Sequence, residues 1–121
     1  MGKILIITKE KILLEKFTLY LKGNGYECFG FLYNDKDLID RIEKENCVDI
    51  AVLEIETPDI KTKKIVKEIK RKFEDCKFLI LVSKFDKAVE EFMIEYGIDA
   101  YLVFPILPFQ FLRAIYTLQK F

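Results

Sequence analysis

Five short apolar segments recur along this chain, and a longer amphipathic segment follows each of them. The longer segments space their apolar residues three and four apart, which predicts helices, whereas the short runs predict buried strands. The predicted strands are Lys3–Ile7, Tyr26–Leu32, Val48–Ile55, Phe78–Val82 and Ala100–Phe104. Strands that alternate with helices are typical of a parallel sheet with right-handed crossovers. The pattern therefore predicts a βα unit repeated five times.

The ends of several predicted helices carry recognisable signals. Gly23-Asn24-Gly25 ends the first helix and Gly97 the fourth, because a helix commonly stops at a residue that tolerates left-handed backbone. Asn34 or Asp35 is expected to begin the second helix, and Pro108 suits the first turn of the last. The third helix is predicted over residues 59–73, with one apolar face. That face comprises Ile60, Ile65, Val66 and Ile69.

Helices on both faces of the sheet give a three-layer α/β/α sandwich, and residues 1–121 are expected to form a single domain. The predicted fold class is flavodoxin-like, (βα)5, with the strand order 2-1-3-4-5. This order places the ends of strands 1 and 3 side by side, which brings Thr8 and Lys9 close to Glu54. In open α/β sheets ligands bind at that edge, so the three residues are the first candidates for a site.

The composition excludes several classes of function. Twenty basic residues balance twenty acidic ones, so no nucleic acid and no membrane partner is expected. Histidine is absent, which removes the commonest general base and metal ligand. No glycine-rich phosphate loop follows strand 1, and no apolar run approaches the roughly 20 residues that span a bilayer. We expect a cytoplasmic protein that is not an enzyme, with no catalytic residues, no cofactor and no metal.

Three segments together carry a resemblance to a known family. They are Lys3-Ile4-Leu5-Ile6-Ile7, then Val48–Ile55 with Pro58-Asp59-Ile60, and finally Gly97–Pro105, which reads Gly-Ile-Asp-Ala-Tyr-Leu-Val-Phe-Pro. With the βα order, they make the chain similar to the receiver domains of two-component response regulators over essentially its whole length. The resemblance implies a role in signal transduction, where receivers take part in phosphorelays.

The family's functional positions hold unusual residues here. In receivers an acidic pair after strand 1 and an Asp after strand 3 hold Mg²⁺, and that Asp accepts the phosphoryl group. A hydroxyl after strand 4 and a Lys after strand 5 bind the phosphoryl oxygens. The matching positions are Thr8 and Lys9, Glu54, Val82 or Ser83, and Phe104. The resemblance therefore implies a degenerate receiver, or pseudo-receiver, that acts by phosphorylation-independent protein–protein interaction, with no Mg²⁺ expected.

Several alternatives remain open at this point. The ammonium of Lys9 either pairs with the Glu54 carboxylate, which would offset its desolvation, or points to solvent. The basic third helix is either a solvated face or a patch for phosphate or nucleic acid. The domain as a whole could instead bind a small molecule in the same crevice, or be a divergent receiver that still takes part in a phosphorelay.

An aromatic surface is the second candidate site. Tyr101 matches an aromatic residue that switches rotamer in many receivers, or it is a fixed aromatic on an edge strand. Phe109, Tyr116 and Phe121 cannot all be buried together with the inner face of the last helix. We expect these aromatics to form a surface for a protein partner or a homodimer through helix 4, strand 5 and helix 5.

Overall fold

The computed structural model describes residues 2–120, which form five strands and five helices in alternation. The strands are β1 (Lys3–Thr8), β2 (Glu27–Leu32), β3 (Ile50–Ile55), β4 (Lys77–Val82) and β5 (Ala100–Val103). The helices are α1 (Lys11–Gly23), α2 (Leu38–Glu43), α3 (Ile60–Lys72), α4 (Lys87–Tyr96) and α5 (Pro108–Gln119). Every predicted element is present. The prediction that Asn34 or Asp35 begins α2 was wrong, since the helix begins at Leu38 after Asp37. The Asp35 carboxylate instead accepts a hydrogen bond from the Asp37 N–H at 2.9 Å, in a turn before the helix.

The five strands form one parallel sheet in the order β2-β1-β3-β4-β5, which confirms the predicted topology. The α2, α3 and α4 helices pack on one face of the sheet, and α1 and α5 pack on the other. The flavodoxin-like three-layer sandwich is confirmed. The strand order reverses between β1 and β3, which are direct neighbours, so their carboxyl ends lie side by side in a register that pairs Ile7 with Leu53.

Alternating side chains of the strands feed two separate apolar layers, one on each face of the sheet. Leu5, Leu53 and Ile80 lie in the layer under α2, α3 and α4, and Ile6 and Leu79 lie in the layer under α1 and α5. All five side chains are fully buried. Because burial of one such side chain contributes about 1.5–3 kcal/mol, both layers stabilise the sheet and fix the position of its edge.

The helix ends follow the local sequence. Asp59 and Asp86 begin α3 and α4, where their carboxylates accept backbone N–H groups at 2.8 and 2.9 Å. Gly97 ends α4 with φ of 64°, as predicted. Ile60, however, was wrongly assigned to the inner face of α3, since it is 85% exposed. Its spacing of four residues from Lys64 places it on the solvent side of the helix.

The helices of residues 2–120 are all too short or too polar to cross a membrane.

Candidate functional site

A crevice of 370 Å³ lies at the carboxyl ends of β1 and β3, the edge at which the sequence predicts a site. Most of its walls are polar or charged. The lining residues are Lys9, Tyr33, Glu54, Ile55, Glu56, Thr57, Asp59, Lys61 and Thr62. Two of the predicted residues, Lys9 and Glu54, therefore share one crevice, whereas Thr8 lies beneath it.

Glu54 is held by the backbone of the loop that follows β1. It is the penultimate residue of β3, and its Oε1 accepts a hydrogen bond from the Lys9 N–H at 2.8 Å. This bond joins the ends of two neighbouring strands. A hydrogen bond from an N–H to an ionised acceptor is stronger than one between neutral groups, so it fixes the direction of the carboxylate.

The predicted ion pair between Lys9 and Glu54 is not formed. The Lys9 ammonium instead pairs with the carboxylate of Glu56, two residues further along the chain. This contact raises the pKa of Lys9 and lowers the pKa of Glu56. Because the backbone of Lys9 already binds Glu54, its side chain extends over the loop after β3. Half of the Lys9 side chain is exposed, so it lies at the surface as the other alternative expected, but it is paired with Glu56.

Thr8 is fully buried at the end of β1, and its hydroxyl is turned away from the crevice. The hydroxyl donates to the backbone carbonyl of Glu10 at 2.9 Å. The Thr8 carbonyl accepts the Tyr33 N–H at 3.0 Å. Thr8 therefore shapes the turn into α1 and connects it to the end of β2.

The ends of β4 and β5 contribute no side chain to the crevice lining. Val82 is only 1% exposed and packs in the apolar layer under α2, α3 and α4. Ser83 follows it and is exposed. The Phe104 ring packs against the layer under α1 and α5, while its N–H donates to the Val82 carbonyl at 2.9 Å. The structure thus places these three predicted positions beside each other but outside the crevice.

Sequence reasoning missed several crevice residues, among them Glu56, Lys61 and Tyr33. Tyr33 differs from the others in its burial. It directly follows β2, and its carbonyl accepts a hydrogen bond from the Lys61 ammonium. Its hydroxyl is buried and has no hydrogen-bond partner among residues 2–120. Burial raises the pKa of Tyr33, and the nearby carboxylates of Glu54 and Asp59 raise it further, so the phenol is neutral. Its position one residue beyond a strand, at the edge where ligands bind, was the signal that could have identified it.

The three carboxylates of the crevice each bind a different group of the protein. Glu54 binds the Lys9 N–H, Glu56 binds the Lys9 ammonium, and Asp59 caps α3. Oδ1 of Asp59 accepts from both the N–H and the hydroxyl of Thr62, each at 2.8 Å, and these bonds lower the pKa of Asp59. Within the described part of the chain, no three acidic, histidine or cysteine side chains come together as metal ligands.

The aromatic surface contains partly exposed rings on β5 and α5. Tyr101 is 41% exposed and stacks on Phe85, with ring centroids 4.3 Å apart and planes at 19°. Phe109 and Tyr116 are 61% and 54% exposed, which confirms that they are not buried. Phe121 lies outside the described residues. An open groove of 610 Å³ runs between β5 and α5 and is lined by Leu102, Phe109 and Arg113, among others.

Two bacterial regulators are similar to this chain in sequence. The regulatory protein VanRc of Enterococcus gallinarum is 29% identical over 115 residues, which cover 95% of this chain and 48% of that protein. The response regulator SaeR of Staphylococcus aureus is 29% identical over 108 residues, which cover 89% of this chain and 46% of that protein. The chain thus spans about half the length of either regulator. No protein-family model matches it.

Solved structures with the same fold include receiver domains. A CheY-like receiver domain protein of Methanospirillum hungatei has a TM-score of 0.83 and 21% identity, over 99% of this chain and 95% of that one. The chemotaxis protein CheY4 of Vibrio cholerae has a TM-score of 0.83 and 17% identity, over 98% of both chains. The chain therefore has the fold of CheY-like receiver domains, and it is similar in sequence to two response regulators along most of its own length.

Proposed function

We propose that this chain is a pseudo-receiver: a signalling module that does not accept a phosphoryl group, is not an enzyme, and acts by binding another protein. Receiver domains are regulatory and work through protein partners. The observation that carries the proposal is the position of Lys9. Its N–H binds Glu54 and its ammonium binds Glu56, at the edge of the sheet where the resemblance places the acidic pair of an active receiver.

The residues of the crevice do not fit Mg²⁺. This cation needs oxygen ligands in near-octahedral geometry at about 2.0–2.1 Å. Thr8 turns its hydroxyl to a backbone carbonyl, and Lys9 brings a positive charge. Oε1 of Glu54 is already bound to an N–H. The absence of carboxylates at positions 8 and 9 and the repulsion by the Lys9 ammonium both argue against a divalent cation here.

The residues at the positions that bind the phosphoryl oxygens in receivers are also unsuited to that role here. Phosphoryl transfer depends on donors and positive charges around the oxygens of the moving group. Val82 and Phe104, at the matching positions, offer apolar side chains packed in the core layers. Glu54 would have to act as the nucleophile without them. These observations support a domain that signals in a single chemical state.

The surface that we propose for the protein partner is formed by α4, β5 and α5. Exposed aromatic side chains are enriched at interfaces, and Phe109 lines the open groove between β5 and α5. Tyr116 is also exposed on α5, but it lines a second depression together with Phe109 and Tyr26. Tyr101 stacks on Phe85 at the edge of the same surface. A second copy of the chain is the alternative occupant of this surface.

The decisive experiment is phosphoryl labelling. The chain is incubated with acetyl phosphate and Mg²⁺, and its intact mass is measured. We expect no added phosphoryl group, and a phosphorylated Glu54 would overturn the proposal. The matched control is the variant Thr8→Asp/Lys9→Asp/Glu54→Asp. It places Asp at the three matched positions, of which only position 54 carries a carboxylate in the wild type. We expect this variant to bind Mg²⁺ more tightly than the wild type in calorimetric titration.

A second candidate function is the binding of a small molecule in the crevice, and one observation favours it. Tyr33 and Glu54 line the same crevice, and the buried Tyr33 hydroxyl has no hydrogen-bond partner among residues 2–120, so it is available to a polar group of a ligand. A thermal-shift screen of metabolites against wild type and Tyr33→Phe tests this candidate. A compound that stabilises only the wild type would support it and identify the ligand class.

A further inference from the structure

The neighbouring helices α3 and α4 carry opposite charges on one face of the molecule. The α3 helix has seven basic side chains and one acidic side chain, whereas α4 has three glutamates and one lysine. Two contacts show that the helices are adjacent. The Lys70 ammonium is 3.3 Å from the carbonyl of Gly97, at the end of α4, and Lys67 Nζ is 5.9 Å from the ring centroid of Tyr96.

The outer faces of both helices hold exposed charges, and one of them, the Lys67 ammonium, also lies over the Tyr96 ring. On α3, Lys64 and Lys67 are exposed and lie three residues apart, and on α4, Glu91 and Glu95 are exposed and lie four apart. None of these four side chains forms an ion pair within residues 2–120. Ile94 stands beside the two glutamates and is 77% exposed. A single exposed apolar side chain is ordinary on a protein surface, so the complementary charges, rather than Ile94, are what mark this face as a contact surface.

We propose that a second copy of this chain docks on the α3–α4 surface about a two-fold axis, with α3 of each copy facing α4 of the other. A two-fold interface is self-complementary, so every contact occurs twice. Lys64 and Lys67 of one copy then meet Glu91 and Glu95 of its partner in both halves. Ile94 of each copy is removed from water between these charge pairs.

This inference goes beyond the proposed function because it adds a second surface, which shares α4 with the first but uses charged side chains of α3 and α4 rather than aromatic ones. The α3 and α4 helices cover one face of the sheet, and α5 covers the other. Phe109 and Tyr116 therefore remain free for a partner protein in the paired form. A nucleic acid or other polyanion is a less suitable occupant, since the glutamates of α4 would repel it and the chain has no net positive charge.

The test is sedimentation velocity over a concentration series at low and high salt. We expect the wild type to form dimers that weaken as salt screens the charges. The variants Lys64→Glu/Lys67→Glu and Glu91→Lys/Glu95→Lys each place like charges opposite one another. We expect each variant alone to dimerise at least about tenfold more weakly than the wild type.

The two variants also test each other when they are mixed. In the mixed pair each reversed helix faces a complementary one, so we expect the heterodimer to regain the affinity of the wild type, which also shows that both variants are folded. The matched control is Lys16→Glu/Lys22→Glu, which reverses two exposed lysines on α1 and should leave dimerisation unchanged. A wild type that stays monomeric, or a mixture that fails to associate, overturns the proposal. A monomer whose binding to heparin is lost only in Lys64→Glu/Lys67→Glu identifies a polyanion site instead.

Discussion

Removal of the Tyr33 hydroxyl should stabilise the fold. This hydroxyl is buried and has no hydrogen-bond partner in the part of the chain that the structure describes. A buried polar group without a partner costs about 1–3 kcal/mol, and Phe keeps the ring that packs against the core layer. We therefore expect Tyr33→Phe to raise the free energy of unfolding by about 1 kcal/mol, which corresponds to an increase of about 3–5 °C in Tm.

Urea unfolding followed by circular dichroism at pH 7 measures this change. Tyr116→Phe is the matched control, because its hydroxyl belongs to an exposed side chain and its removal should leave stability nearly unchanged. The pH dependence gives a second measurement. The pKa of Tyr33 is raised in the folded state, so above about pH 10 only the unfolded state ionises readily and the wild type loses stability. Tyr33→Phe should lose less stability over the same range.

A loss of about 1 kcal/mol in Tyr33→Phe at pH 7 would refute this reasoning. It would mean that the hydroxyl makes a favourable hydrogen bond in solution, since removal of a satisfied group costs about that amount. A decrease of the same size in Tyr116→Phe would show instead that the two variants do not isolate the effect of burial.

Two further predictions concern packing and helix capping. We expect Gly30→Ala to destabilise the fold by about 1–2 kcal/mol, because an added Cβ would lie 2.3 Å from Cδ1 of Leu14. The matched control is Gly23→Ala, where an added Cβ would have no atom within 4 Å. This control should be neutral or slightly stabilising in the same urea assay. We expect Asp59→Ala to cost about 1 kcal/mol at pH 7, because Asp59 caps α3. The pKa of Asp59 is lowered in the folded state, so this stabilisation is present above about pH 4 and lost as the pH falls further. A stability difference between Asp59→Ala and the wild type that persists unchanged at about pH 2 would contradict the assignment of the Asp59 carboxylate as the cap.

The fold could be predicted from the sequence because its signals are local. The alternation of apolar runs and helical periodicity determines the element order, and Gly97 and Pro108 mark helix ends through their own backbone preferences. Ile60 shows where this reasoning fails. A helix turns by a fixed angle per residue, so one residue at its start can be apolar and still face water.

The details of the candidate site could not be predicted in the same way. Sequence reasoning placed Lys9 and Glu54 at the same edge, which the structure confirms. It left open whether the Lys9 ammonium pairs with Glu54, and a backbone N–H, which every residue but proline carries, binds this carboxylate instead. Tyr33 and Lys61 were missed because their contact joins the end of β2 to the start of α3, and neighbours of that kind depend on tertiary packing rather than on spacing along the chain.

Because the core is divided into two layers that share no residue, each layer can be altered by mutation separately. Substitutions that repack the layer beneath α5 change residues such as Phe111 and Ile115, which share no cluster with those beneath α3. A substitution in one layer is therefore expected to leave the packing of the other layer nearly unchanged, and the stability effects of one substitution in each layer should add. The central sheet separates the two layers.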